Sequence, residues 1–181
     1  MAKLLYAASA SLDGYIAGPN GDMSWLTEHL AGDNPTADRL LANVGALLLG
    51  KNTFGGDDPN RGTDKEGAFG GQYHGPVFVL THRPPAEPPA GVTFVDDLHS
   101  GVTRAKETAG DKYVNVLGAN IAKQCIEAGL LDEVLMFFAP VLLGDGVRIF
   151  DHPGGTRVRL APLPGESAHW YRVVYPESGA L

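Results

Sequence analysis

Three short segments place polar or small residues directly after a strand-like run. Gly50-Lys51-Asn52-Thr53-Phe54 follows Ala46 to Leu49, Thr81-His82-Arg83 follows Val77 to Leu80, and Gly118-Ala119-Asn120-Ile121 follows Tyr113 to Leu117. Short all-apolar runs read as strands buried on both faces. In an open α/β sheet the C-terminal edge of such strands is where ligands bind. The chemistry offered there suits phosphate. Gly50 allows close backbone approach, Lys51 supplies a cation, and Asn52 and Thr53 add N–H groups and polar side chains, a set fitted to a pyrophosphate. Arg83 carries a planar fork that binds a phosphate monoester bidentately. With Thr81 and His82 beside it, that fork suits the 2′-phosphate of an adenosine ribose and favours NADP over NAD. At Leu117-Gly118-Ala119-Asn120-Ile121 a strand meets a helix through small residues, and a helix N-terminus presents free N–H groups and the positive end of its dipole.

Asp13 follows the first apolar run at the same expected edge, and is the candidate for binding a substrate or supplying a proton. Tyr15 and Trp25 are flat rings able to stack on a planar substrate. Other chemistries lack their residues. The six histidines are scattered, with no His-Glu-x-x-His and no cysteine pair, so no transition-metal site is expected. No Gly-x-Ser-x-Gly elbow is present, and no Gly-x-Gly-x-x-Gly follows the first strand. Gly45 to Asn52 falls one residue short of a Walker A motif. Its middle residues, Ala46 to Leu49, are too apolar for a phosphate-cradling loop, and Asn52 stands where Ser or Thr would hold Mg²⁺.

The elements that must position these residues alternate between strand and helix. Leu4 to Ala10 reads as a buried first strand. Asp33-Asn34-Pro35 opens a helix, with Pro35 in its first turn and Ala37, Leu40, Leu41 and Val44 on one face. Gly55 to Gly75, rich in Gly and Asp, reads as a long loop or mobile flap that could cover the site. Val92 to Val95 is a short strand, and Asp96 or Asp97 caps a helix bearing Leu98, Val102, Ala105 and Ala109. Ile121 to Ala128 is a helix stopped by Gly129, and Leu131 to Val141 a long apolar strand. Arg157 to Leu160 and Ser167 to Tyr175 form a closing hairpin. The pattern predicts a single α/β domain over residues 1–181, with a mostly parallel sheet and antiparallel C-terminal strands.

The 181 residues are 44% hydrophobic and 19% charged, with a net charge of −7. An acidic balance argues against a nucleic-acid partner, but not against one nucleotide held by a few cations. No apolar run approaches the roughly 20 residues of a bilayer span, so no membrane association is expected. The lone cysteine, Cys125, excludes an internal disulfide and reads as a core residue; with no signal peptide, a cytoplasmic protein is expected. The length and apolarity of Leu131 to Val141 predict a homodimer, because one small domain would not cover it.

Ser11-Leu12-Asp13-Gly14-Tyr15-Ile16-Ala17, Gly50 to Phe54, Gly118-Ala119-Asn120, Gly129 to Val134 and Ala139 to Gly146, in this order and spacing, resemble the dihydrofolate reductase-like superfamily. Within it, the reductase domain of the bacterial riboflavin-biosynthesis deaminase–reductase is most similar. The resemblance runs from about Leu4 to Phe150. It implies an eight- or nine-stranded sheet flanked by helices, NADPH as hydride donor and a small heterocyclic or carbonyl substrate. It also implies that Ala8, Ile16 and Ala17 border the nicotinamide, and that Leu117 to Ile121 lie along its ribose and phosphates. Glu28 and Asp33 do not have the spacing of a folate-reducing enzyme's carboxylate after Trp25, so dihydrofolate itself is not the expected substrate. A nucleotide-binding module without turnover and a deazaflavin-dependent reductase are the alternative readings.

Overall fold

The computed structural model describes residues 1–30, 32–166 and 169–176; Ser167, where the second strand of the expected hairpin would begin, lies outside them. Eight strands form one sheet: β1 (Leu4–Ser11), β3 (Val44–Gly50), β4 (Val77–Leu80), β5 (Val92–Val95), β6 (Tyr113–Leu117), β7 (Glu133–Ala139), β9 (Arg159–Pro162) and β10 (Trp170–Val174). Their order across the sheet is β5-β4-β3-β6-β1-β7-β10-β9. The first six are mutually parallel, and β10 and β9 are antiparallel to their neighbours. Two short strands, β2 (Tyr15–Ala17) and β8 (Val147–Arg148), form a separate antiparallel ribbon; they are too short to leave a periodic signal in the sequence.

Four helices accompany the sheet: α1 (Pro35–Ala42), α2 (Lys51–Phe54), α3 (Leu98–Ala109) and α4 (Ala119–Glu127). The caps act where the sequence put them. Asn34 Oδ1 accepts from Ala37 N at 3.1 Å, and Asp97 Oδ1 from Ser100 N at 2.7 Å. α3 and α4 bury Val102, Ala105, Ile121, Cys125 and Ile126 with Leu4, Leu48, Val114 and Val116 on one side of the sheet. On the other, Leu40 of α1 packs with Leu5, Leu47, Leu49, Leu135 and Trp170. Cys125 is fully buried, and burial pushes its thiol up to about 12, so it is a core residue without nucleophilic character.

The strand expected over Leu131 to Val141 is shorter: β7 lies between β1 and β10, with Glu133 to Met136 buried within the chain and Phe138 39% exposed. Gly55 to Gly75 is a long loop, as expected, built from turns that hydrogen bonds stitch together. Asp58 accepts from Asn60 N and Gly67 N at 2.7 Å each, Glu66 accepts from Gly62 N at 2.8 Å, and Phe69 and Tyr73 pack against the core.

The N-terminal edge of the sheet is tied by one buried carboxylate. Glu133 is 1% exposed and accepts from Lys3 Nζ at 2.6 Å, Trp170 Nε1 at 2.9 Å and Tyr113 Oη at 3.1 Å. It thereby joins the beginnings of β6, β7 and β10 to the residue before β1. Removing it leaves the buried Trp170 Nε1 and the half-buried Tyr113 hydroxyl without this acceptor. Glu133→Ala is expected to lower stability by about 3–5 kcal/mol in urea unfolding, and Glu133→Gln, which keeps an acceptor, by less. Equal, small losses for both would show that the network does not hold this edge.

Candidate functional site

Parallel strands deliver their C-terminal ends to one edge, so topology decides which loops become neighbours. Here β4, β3 and β6 are consecutive, and neighbouring strands lie about 4.8 Å apart. Thr81-His82-Arg83, Gly50 to Thr53 and Leu117 to Ile121 therefore leave the sheet side by side. Contacts close the row. A Cβ added to Gly50 would lie 3.2 Å from Ile121 Cγ1, and one added to Gly118 would lie 2.3 Å from Thr53 Oγ1. Gly118 also has φ of +93°, a conformation that L side chains avoid. Only glycine lets the β6 exit touch α2. Beyond it α4 begins with no side-chain cap, so its first-turn N–H groups are available to a ligand.

Next in the row the sheet opens. β1 pairs with β6 only from Leu4↔Val114 to Tyr6↔Val116, yet with β7 it continues to Ser11↔Ala139. β6 meanwhile stays with β3 as far as Leu49↔Leu117. At the fork the Ala7 N–H turns to the side chain of the buried Asn115, whose Oδ1 accepts it at 3.2 Å. Strand alternation turns the N–H and C=O of Ser9 the same way as those of Ala7, so Ser9 presents its backbone to the opening. Ala8 turns its backbone to β7, and its half-buried side chain packs against the core on one face of the sheet. Ser9 is thus a site residue that sequence reasoning missed. Ile16 and Ala17 of β2 sit on the ribbon beside this edge, with Ala17 buried.

Asp13 stands at the β1 exit as expected, and its carboxylate is engaged. It accepts from Ser11 Oγ at 2.6 Å, Leu143 N at 3.1 Å and Gly144 N at 2.7 Å. The Ser11 hydroxyl, then the backbone donors of Leu143 and Gly144, hold the carboxyl down to about 2. Asp13 is ionised at neutral pH and latches the β1–β2 turn to the segment after β7. Tyr15 is 6% exposed and donates to the Gly144 carbonyl at 3.2 Å; Arg148 covers its ring, Cζ to centroid 4.8 Å. Trp25 lies on a 3-10 turn (Ser24–His29) that touches the 55–75 loop through Thr27 Oγ1 and the Pro59 carbonyl. Its Nε1 is buried and has no hydrogen-bond partner among the described residues. Lys51, Arg83 and Arg148 make no ion pair among the described residues, which leaves three cations uncommitted along this edge.

The mostly parallel sheet with antiparallel C-terminal strands has the fold of dihydrofolate reductase. The chain is similar to a protein from Shewanella sp. PV-4 assigned to riboflavin biosynthesis (TM-score 0.67, 24% identity, 96% of this chain and 97% of that one). It is also similar in fold to dihydrofolate reductase from Enterococcus faecalis, solved with NADP(H) (TM-score 0.53, 14% identity, 94% and 93%). Residues 2–164 match the model of the RibD C-terminal domain, and the chain belongs to that family. Among curated relatives it is 29% identical over 160 residues to YwjB of Bacillus subtilis (strain 168), covering 87% of each chain. It is 28% identical over 194 residues to the riboflavin biosynthesis protein RibD of Haemophilus influenzae, of which it spans 51%.

The Asp13 latch has a pH signature. A carboxyl whose folded value is depressed contributes stability above its ordinary value of 3.8, and loses it as pH falls through about 2. The stability difference between the native protein and Asp13→Asn is therefore expected to be constant above about pH 5 and to shrink between pH 4 and 2. A difference that stays flat across that range, in urea unfolding, would show that the carboxylate charge is not what holds the turn.

Proposed function

We propose that the protein is a reductase that uses NADPH to deliver a hydride to a small, unsaturated substrate, either a pterin- or pyrimidine-like heterocycle or a carbonyl compound. The fork between β1 and β6 carries this reading, because it opens a slot at the end of a row of three phosphate-suited exits. Arg83, with Thr81 and His82, would take the adenosine 2′-phosphate. Gly50, Lys51, Asn52 and Thr53, together with Gly118, Ala119, Asn120 and Ile121, would take the pyrophosphate and the adjoining ribose. Ala8, Ser9, Ile16, Ala17 and Leu117 would border the nicotinamide. The Asn120 side chain is no obstacle, since its Oδ1 is turned along the helix to Gln124 Nε2 at 3.4 Å.

NADPH, when bound, supplies the hydride; the residues orient it and exclude water. The backbone of Ser9 would fix a carboxamide, and Gly118, packed closely on Thr53, would let the phosphates approach the backbone there. Asp13, as an ionised carboxylate, can accept a hydrogen bond from substrate or orient a water, and does not itself carry the proton at neutral pH. The orphan Trp25 Nε1 is a donor for a substrate acceptor or an ordered water. Tyr15, with Arg148 on its ring, serves the cleft wall rather than stacking on substrate.

Preference for NADPH over NADH tests the reading. Arg83→Ala is expected to weaken NADPH by roughly 1.5–3 kcal/mol, the worth of a hydrogen bond to a charged group, and to leave NADH nearly unchanged in calorimetric titrations. Equal losses for both cofactors would remove the 2′-phosphate assignment.

A further inference from the structure

The turn that leaves β2 carries a reactive dipeptide in an open setting. Of the seven asparagines in the chain, Asn20 alone is followed by glycine; the others precede Pro35, Val44, Thr53, Arg61, Val116 and Ile121. An asparagine amide carbon can be attacked by the backbone nitrogen of the next residue. A Cβ on that residue hinders the approach, and glycine has none; proline has no N–H to give up. Asn20 lies in a 3-10 turn, Pro19–Gly21, with φ of 59° and ψ of 17°, a left-handed conformation in which asparagine is enriched. It is exposed, and its side chain makes no hydrogen bond among the described residues. Around Gly21 a Cβ would meet nothing within 4 Å, so the space is open. At this ψ the Gly21 nitrogen is turned away from the Asn20 amide carbon, and the reaction waits on local opening of the turn. Two long bonds oppose that opening, Gly21 N to the Gly18 carbonyl at 3.1 Å and Asp22 N to the Pro19 carbonyl at 3.3 Å, besides a firmer one from Gly18 N to the Asp22 carbonyl at 2.8 Å. Just beyond the turn the chain is clasped to the 55–75 loop: Met23 N donates to Asp57 Oδ2 at 3.2 Å, and Thr27 Oγ1 to the Pro59 carbonyl at 3.4 Å.

We propose that Asn20 is a self-modification site, where deamidation through Gly21 adds a carboxylate to the turn and loosens the clasp on the 55–75 loop. The Gly21 nitrogen bonds to Asn20 Cγ, the Cγ–Nδ2 bond breaks, and the amide nitrogen leaves as ammonia with the proton from Gly21. Water then opens the resulting five-membered imide at either carbonyl. One product is an ordinary aspartate; the other is linked to Gly21 through its side chain. No oxidant, reductant or metal takes part. The side-chain-linked product lengthens the main chain by a methylene inside the turn that Gly18 N and the Asp22 carbonyl close. Both products place a negative charge in a segment that already carries Asp22 and is held by the carboxylate of Asp57, and like charges repel.

Ageing the folded protein at mildly alkaline pH and physiological temperature tests this, with peptide mapping by mass spectrometry at intervals. Asn20 is expected to convert about tenfold faster than any other asparagine, a barrier difference of about 1.4 kcal/mol. A more acidic form should accumulate in step on isoelectric focusing, with ammonia released in equal amount. Asn20→Gly suits the left-handed backbone and removes the reactive amide; it is expected to keep the native melting temperature and to yield no such acidic form. The aged form, separated by ion exchange, is expected to exchange its Met23 amide hydrogen faster than fresh protein, while the Leu5 amide in the sheet stays equally protected in both. Conversion at Asn20 no faster than at the exposed Asn43 and Asn52, or an acidic form that persists in Asn20→Gly, overturns the site. A modified protein whose Met23 amide exchanges like that of fresh protein overturns the effect on the clasp.

Discussion

The constraint on which the site depends is that β1 cannot stay paired with both of its neighbours. It keeps β7 to its end and leaves β6 after Tyr6, while β6 stays with β3. A ladder that ends inside a sheet exposes backbone groups that need partners. The structure meets one of them with a side chain, Asn115 Oδ1 on the Ala7 N–H, and leaves the next, at Ser9, facing the opening. A parallel sheet thereby gains a slot lined with backbone donors and acceptors at its C-terminal edge, without a helix or loop having to move aside.

The two ends of the sheet are held differently. At the N-terminal edge the buried Glu133 joins Lys3, Tyr113 and Trp170, so β1, β6, β7 and β10 start in fixed register. At the C-terminal edge Asp13 ties the β1–β2 turn to Leu143 and Gly144. Between these ties β1 and β6 are free to diverge. The site accordingly rests on strand ends and glycine contacts, rigid elements that hold a ligand more closely than loops do.

Much of this was legible in the sequence, for physical reasons that differ from residue to residue. All-apolar runs marked β3 and β4, because strands buried on both faces carry few polar positions, whereas β6 carries the buried Asn115. Asp33-Asn34-Pro35 and the pair Asp96-Asp97 marked helix starts, because capping side chains do a job that few residues can do. The segments at Gly50, Thr81 and Gly118 could be recognised one by one, but their adjacency depends on β6 inserting between β3 and β1, which no local pattern encodes. Ser9 was overlooked because its contribution is a backbone group made free by a neighbour's departure. Arg148 was overlooked because it belongs to a two-residue strand whose partner, Tyr15, lies at the other end of the chain. The turns at Gly55 to Gly75 looked unstructured because their order comes from carboxylates such as Asp58 bonding backbone N–H groups, which composition alone does not distinguish from a flexible loop.

Amide chemical shifts address the fork most directly. On saturation with NADPH, the Ser9 N–H, which faces the slot, is expected to move strongly in ¹⁵N–¹H spectra. The Leu5 N–H, inside the paired part of the β1–β6 ladder, is expected to stay nearly still. A Ser9 amide that does not respond while NADPH is bound would place the nicotinamide outside the opening between β1 and β6, and would contradict the account.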